Sequence, residues 1–144
     1  MVFVLAIIGL GATFLLFVLP FVWMPDVANT GWHELSRGVA PGYGAHEPDH
    51  PYFILGTNET LPSGIDALKR RVMSQGWRVY QDPNPFGGVT LGRTDDPGRS
   101  LFFEPFPANP VRFSDLEDHS VGRDRVQLWQ QQYAHIYVLE MFFP

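Results

Sequence analysis

Histidine and acidic side chains are concentrated in one short stretch that could bind a divalent metal ion. The candidate ligands are His46, Glu47, Asp49 and His50, with His33 and Glu34 upstream. Imidazole and carboxylate groups are the usual protein ligands of zinc and related ions. The spacing of His46 and His50 would place both on one face of a helix, but Pro48 and Pro51 exclude a helix there. The prolines favour the alternative, a surface loop in which these polar side chains cap turns.

The remaining polar residues form no recognisable catalytic or phosphate-binding pattern. The segment that follows His33 lacks the second histidine of the zinc-protease pattern H-E-x-x-H, and the chain contains no G-x-S-x-G nucleophile elbow. Gly87 and Gly88 lack the strand, lysine and helix of a phosphate-binding loop. Asp95 and Asp96 precede a Pro-Gly pair, which predicts a tight turn rather than a pair of catalytic carboxylates. We therefore expect a protein that is not an enzyme.

The composition excludes several further classes of function. The 144-residue chain has no cysteine, which rules out thiolate catalysis, disulfides, iron–sulfur clusters and thioether-linked haem. It has no motif for binding haem, chlorophyll or quinone, and we expect no cofactor. The formal net charge of −5 gives no general attraction to nucleic acid. A hydrophobic content of 45% with only 17% charged residues is typical of one folded domain.

Residues 1–24 are predicted to form a single transmembrane anchor helix. No charged side chain occurs between Val2 and Val22, and a helix from Val2 to Trp23 would span about 33 Å, which matches the apolar core of a bilayer. A secretory signal peptide would begin with basic residues, have a shorter apolar run and end at a better cleavage site. Trp23 lies where an interfacial aromatic residue is expected, and Asp26 is the first charged residue. The segment is therefore interpreted as a retained anchor.

One face of this predicted helix carries small side chains. Ala6, Gly9 and Thr13 follow helical spacing, and small residues allow a second helix to approach closely in lipid. The alternative is that they reflect the general abundance of glycine in membrane helices. The positive-inside rule finds only the α-amino group before the helix and Arg37 well after it. This weak asymmetry of positive charge favours the N-terminal amine on the inside and the domain on the periplasmic, or otherwise extracytoplasmic, side.

Residues 25–62 are predicted to be an ordered linker. They are rich in proline and glycine and show neither helical nor strand periodicity over most of their length. The interleaved aromatic residues, among them Trp32 and Tyr52, argue against a free tether, because such side chains normally pack against other parts of a protein. A short strand is predicted for residues 52–55.

Residues 63–144 are predicted to form a small α+β domain with a short antiparallel sheet. The clearest helix begins at Ser63, the predicted N-cap, and ends at Gly76. Its apolar stripe consists of Ile65, Leu68 and Val72. Strands are predicted at 77–81, 89–92 and 101–104. They are followed by a helix over residues 127–134 and a C-terminal strand over residues 136–143.

Aromatic side chains make up 15% of the chain, and several are predicted to face a protein partner. Phe102 and Phe103 are adjacent, so a strand must place them on opposite faces of its sheet. The predicted interface residues are Trp23, Trp32, Phe102, Phe103, Phe106, Phe142 and Phe143. A large exposed apolar surface would mark a docking site. The alternative is a two-sided core, with helices covering both faces of the sheet.

Taken together, these features predict a non-catalytic, single-pass accessory subunit of a larger membrane protein complex. It would contribute assembly and stability through its helix and its aromatic-rich domain. The expected partners are other subunits of that complex and the lipid bilayer, and respiratory or photosynthetic electron-transfer complexes are candidate hosts. The alternative from another class is a membrane-tethered envelope metal-binding module or enzyme that uses His33 and the segment from His46 to His50.

Overall fold

The computed structural model describes residues 21–42, 48–85, 87–105 and 121–143. Within these ranges, six strands form one antiparallel sheet, and two helices that lie wholly inside them pack on its faces. The strands are β1 (His33–Ala40), β2 (His50–Thr57), β3 (Trp77–Gln81), β4 (Val89–Arg93), β5 (Ser100–Pro105) and β6 (His135–Phe142). The helices are α1 (Ser63–Met73) and α2 (Arg123–Gln132). The predicted class, a small α+β domain with an antiparallel sheet, is confirmed.

The last strand of the chain lies in the middle of the sheet. The strand order is β1-β2-β6-β5-β4-β3, and every neighbouring pair is antiparallel. β6 therefore joins the pair of β1 and β2 to the meander of β3, β4 and β5. Its sequence suits this position, because four consecutive residues from Ile136 to Leu139 are buried, as expected for a strand covered on both faces.

One face of the sheet carries the larger of two cores. Four of its members from the strands have 0% exposure, and these are Leu55, Leu101, Leu139 and Met141. They alternate along their strands with residues that lie on the other face. Helix α1 covers this core with Leu68 and Val72, which belong to the predicted apolar stripe, and Ile65 packs at its margin.

The opposite face carries a second core beneath α2. Val126 and Trp129 of α2 cluster with Tyr52, Ile54 and Val138 of the central strands. The two-sided core that the sequence left open as an alternative is therefore present. It forms because each helix has one apolar face to bury and the central strands offer buried positions on both sides.

The helix and strands predicted after residue 63 are confirmed with small shifts at their ends. β3 coincides with the predicted 77–81, β4 and β5 each extend beyond the predicted bounds, and α2 begins at Arg123, before the predicted start. The predicted N-cap is wrong, because Pro62 occupies that position and no side chain caps α1. The helix instead begins through a backbone turn, in which the Gly64 N–H donates to the Thr60 carbonyl oxygen at 3.0 Å.

Two strands of the sheet come from residues 25–62, for which the sequence predicts an ordered linker. β2 includes the short strand predicted at 52–55 and is buried along its entire length. β1 pairs with β2 at one edge of the sheet and is mostly exposed or half-buried. Its residues show little alternation of apolar and polar side chains because an edge strand has fewer positions that must be buried. The sheet therefore continues across the predicted boundary at residue 63.

Replacing Gly38 by alanine should destabilise the fold, whereas the same change at Gly92 should be tolerated. A Cβ atom at Gly38 would lie 2.5 Å from the Tyr52 hydroxyl oxygen, and one at Gly92 would lie 2.1 Å from a Tyr80 ring carbon. Tyr52 is 2% exposed and cannot move freely, but Tyr80 is 68% exposed and can rotate into solvent. We expect Gly38→Ala to lower the free energy of unfolding by about 1–3 kcal/mol, as overpacking does.

The Gly92→Ala control should change the free energy of unfolding by less than about 0.5 kcal/mol. Chemical denaturation of the full chain in detergent, followed by circular dichroism, measures both values. Equal losses in the two variants would contradict the assignment of Tyr52 as a fixed side chain and Tyr80 as a movable one.

Candidate functional site

The structure separates the histidines that the sequence grouped as metal-ligand candidates. His33 begins β1 opposite Gly56, whereas His50 begins β2 opposite Ala40, at the other end of the same pair of strands. Seven residues of extended chain place these ends about 20 Å apart. His33 therefore cannot share a metal ion with His50. His46 and Glu47 lie outside the described residues.

His50 is a buried residue of the α2 face of the sheet. Its side chain is 1% exposed, and its ring stacks on Phe142 with centroids 4.3 Å apart. The His50 Nε2 atom lies 3.9 Å from Oε1 of Glu140, which also neighbours Tyr52 across the β2–β6 pair. Burial, and then the nearby Glu140 carboxylate, raise the pKa of Tyr52. No local pattern of residues predicts this cluster, because its members come from strands distant along the chain.

Asp49 has a different role from its neighbour His50. Its carboxylate accepts a hydrogen bond from the Gly42 N–H at 3.3 Å, across the connection between β1 and β2. This is the turn-capping contact that the sequence offered as the alternative to metal binding. Among the residues that the structure describes, no three potential metal ligands come together.

The first described residues pack against the rest of the domain. We name residues 21–32 the docked segment. It runs across the α1 face of the sheet and ends where β1 begins. Phe21 stacks on Phe53 of β2, with ring centroids 6.1 Å apart and planes only 5° from parallel. Met24 and Val27 are buried in the larger core. The segment is therefore part of the domain and not a tether beside it.

Polar contacts also hold the docked segment against the end of α1. The Asp26 N–H donates to Oε1 of Gln75, and Nε2 of Gln75 donates back to the Asp26 carbonyl oxygen, both at 2.8 Å. The Asp26 carboxylate accepts a hydrogen bond from the Ala28 N–H at 2.9 Å and forms an ion pair with Arg71. The Ala28 N–H, and then the Arg71 guanidinium, lower the pKa of Asp26.

The docked segment ends on a buried tryptophan. Nε1 of Trp32 donates a 2.8 Å hydrogen bond to the Gly64 carbonyl oxygen near the start of α1. Its ring packs edge-on against Phe103 and Tyr137, at centroid distances of 5.2 and 5.4 Å. Only 5% of Trp32 is exposed, so this side chain links the segment, the helix and two strands of the sheet.

Arginine side chains lie over the aromatic rings near the start of the docked segment. The Arg99 guanidinium is 4.3 Å from the Trp23 ring centroid, and Arg37 lies 5.1 Å from that of Phe53. Such cation–π contacts restrict an aromatic ring while leaving it partly exposed. Trp23 is 46% exposed, in contrast to the buried Trp32.

The aromatic residues predicted as a partner interface occupy different environments. Trp32 and Phe103 are core residues, with 5% and 1% exposure, and are not available at the surface. Phe102 and Phe142 are half-buried on the α2 face, where their rings meet edge-on at 4.9 Å, and Phe143 is half-buried at the margin of the larger core. Trp23 is exposed, and Phe106 lies outside the described residues. Phe102 and Phe103 lie on opposite faces, as their adjacent positions require.

The predicted anchor begins before the described part of the chain. Its helix-packing residues, Ala6, Gly9 and Thr13, lie outside the described residues, and so does most of the segment 1–24. Phe21 and Val22 are helical. Within the described ranges, no helix combines the length and apolar character needed to span a bilayer.

Comparisons with protein-family models, with curated proteins and with solved structures found no match to this chain. The function is therefore argued from the geometry of the chain itself.

Proposed function

We propose that this chain is a non-catalytic, single-pass accessory subunit of a larger membrane protein complex. The apolar stretch before Phe21 spans the bilayer as a helix, and the α+β domain stands on the extracytoplasmic side. The span ends before the predicted residue 24, because Phe21 and Met24 pack into the domain. The helix packs against transmembrane helices of other subunits through Ala6, Gly9 and Thr13. The domain stabilises the assembly from outside the membrane, and respiratory or photosynthetic electron-transfer complexes are candidate hosts.

The observation that carries this proposal is the docked segment. An enzyme or receptor domain on a membrane tether commonly moves freely, because a flexible linker separates it from its anchor. In this chain, Phe21 at the end of the apolar stretch, and Met24 and Val27 just after it, are packed into the domain. The domain is thereby held at a defined position relative to the chain that enters the bilayer. Such a fixed position suits a subunit that must contact its partners in the membrane and outside it at the same time.

Purification of the tagged full-length chain from its native membrane in a mild detergent tests the proposal. Native mass measurement should give a particle much heavier than one chain, with other subunits present in fixed ratio. Gly9→Leu should reduce recovery of those subunits, because a bulky side chain would separate the packed helices. Gly11→Leu is the matched control, since position 11 lies on another face of the predicted helix.

A lone monomer with no co-purifying subunit would contradict the accessory-subunit proposal. Equal loss of partners in the Gly9→Leu and Gly11→Leu variants would contradict the assigned helix face. Metal analysis of the same preparation distinguishes the rival function. Stoichiometric zinc or copper that is lost in His46→Ala would favour a metal-binding module instead.

A further inference from the structure

The strand directions place a set of distant residues at one end of the sheet, which we name the Trp23 end. There β1 ends, β2 begins, β4 ends, β5 begins and β6 ends. Trp23 contacts Arg99, the residue before β5, and Arg99 also lies 5.6 Å from the ring of Phe143, just after β6. Helix α1 finishes at the same end, since Gln75 binds Asp26 and β3 begins two residues later.

Four of the seven large hydrophobic side chains that are exposed in the described ranges lie at the Trp23 end. Val22 and Trp23 are 61% and 46% exposed, and they lie where the docked segment begins. Val39 at the end of β1 is 41% exposed, and Met73 at the end of α1 is 48% exposed. These two come from parts of the chain far from residue 23. The other three lie away from this end, Val79 and Tyr80 along β3 and Leu128 on α2.

We propose that the Trp23 end of the domain rests on the surface of the lipid bilayer, with Trp23, Val39 and Met73 in its interfacial layer. This inference rests on the proposed function, because it requires that the first residues of the chain span the membrane. The lipid bilayer is identified as the partner of this surface by the course of the chain. Val22 immediately precedes Trp23, which contacts Arg99 at this end. A bilayer that holds the apolar stretch before Phe21 would therefore lie on the same side of the domain as Val39 and Met73. Tryptophan is the side chain that prefers the interfacial layer.

Three of the arginines at the Trp23 end pair with carboxylates. Arg99 pairs with Asp96 at 2.9 Å, and Arg71 pairs with Asp26. Arg93 pairs with Asp95 at 2.6 Å and lowers the pKa of that carboxyl to about 2. Each of these arginines therefore has a carboxylate partner. The apolar contact itself should form in vesicles of phosphatidylcholine alone.

Single-cysteine labelling tests this placement, because the natural chain has no cysteine. The full-length chain with Val39→Cys or Met73→Cys would carry a nitroxide and be reconstituted in phosphatidylcholine vesicles. Collisions with lipid-soluble oxygen should exceed those with a water-soluble nickel chelate at both sites. Thr60→Cys is the matched control, since Thr60 is exposed and follows β2 at the opposite end of the sheet. Its label should be more accessible to the nickel chelate than the labels at positions 39 and 73.

Tryptophan emission provides an independent measurement on the unlabelled chain. Of the four tryptophans, Trp32, Trp77 and Trp129 are at most 6% exposed, so quenching by lipid should act mainly on Trp23. In vesicles of brominated phosphatidylcholine, the natural chain should lose emission, and Trp23→Phe should remove most of that loss.

Alkaline extraction of the vesicles distinguishes a failure of the proposed bilayer contact from a failure of the proposed membrane anchor. If the chain resists extraction but labels at 39 and 73 resemble the label at 60, the bilayer contact is refuted and the anchor stands. If the chain is extracted, membrane anchoring fails and the inference fails with it. Labels at 39 and 73 that are shielded only in the purified complex would show that a partner subunit covers this end, which would also overturn the lipid contact.

Discussion

Replacing Trp32 by alanine should lower the free energy of unfolding by about 3–5 kcal/mol, the range typical of removing a buried tryptophan. Trp32 is 5% exposed and contacts both Phe103 and Tyr137. Its indole N–H also donates to the Gly64 carbonyl oxygen. The change would leave a cavity between the sheet and α1 and remove the hydrogen bond that the indole donates to that carbonyl oxygen. Chemical denaturation of the full chain in detergent measures the loss.

Two further substitutions show which part of the Trp32 effect is packing. Trp32→Phe retains most of the ring volume but loses the hydrogen bond, so it should cost less than Trp32→Ala. Trp23→Ala removes the same side chain from an exposed site, where the contact with Arg99 is worth about 0.5–1 kcal/mol. A loss in Trp23→Ala as large as that in Trp32→Ala would contradict the assignment of Trp32 to the core.

Replacing Leu139 by alanine should lower the free energy of unfolding by about 2–5 kcal/mol. Leu139 is 0% exposed and lies on β6, between Phe53 of β2 and Phe103 of β5. Because β6 joins the two halves of the sheet, a cavity at this position weakens packing on both sides of it. The thermal midpoint and the denaturant midpoint should both fall, while the circular dichroism spectrum at low temperature should keep its native form.

Leu128→Ala is the control for Leu139→Ala. Leu128 lies on α2 and is 53% exposed, so truncation removes little buried surface. We expect a change of less than about 0.5 kcal/mol, and alanine's higher helix propensity offsets part of it. If both leucine variants lost similar stability, Leu139 would not lie at the centre of the fold, and the strand order would be wrong.

Local structure after residue 63 follows from short-range patterns in the sequence. The spacing of Ile65, Leu68 and Val72 predicts α1 because a helix brings such residues to one face. The adjacent Phe102 and Phe103 must lie on opposite sides of a strand, whatever the fold. Turn-forming residues from Asp95 onward mark the end of β4 and the start of β5. These features depend on neighbouring residues only, so the sequence is sufficient to predict them.

Pairing between distant segments could not be predicted in the same way. β1 was not predicted, because an edge strand with residues such as Glu34 and Arg37 has no clear alternation of apolar and polar side chains. Nothing in the local pattern of β6 shows that it lies between β2 and β5. The choice of strand neighbours is made by packing across the whole sheet, where many weak contacts decide together.

Some properties of the candidate site also follow from the sequence, whereas others depend on the tertiary structure. The sequence by itself determined that residues 2–22 are apolar and uncharged, that Trp23 follows them, and that no thiol chemistry is possible. The tertiary structure alone decided that residues 21–32 pack onto the domain, that Trp32 is buried while Trp23 is exposed, and that His33 and His50 lie at opposite ends of the sheet. The physical reason is that composition and periodicity act within a few residues, whereas burial depends on which distant segments cover a side chain once the chain has folded.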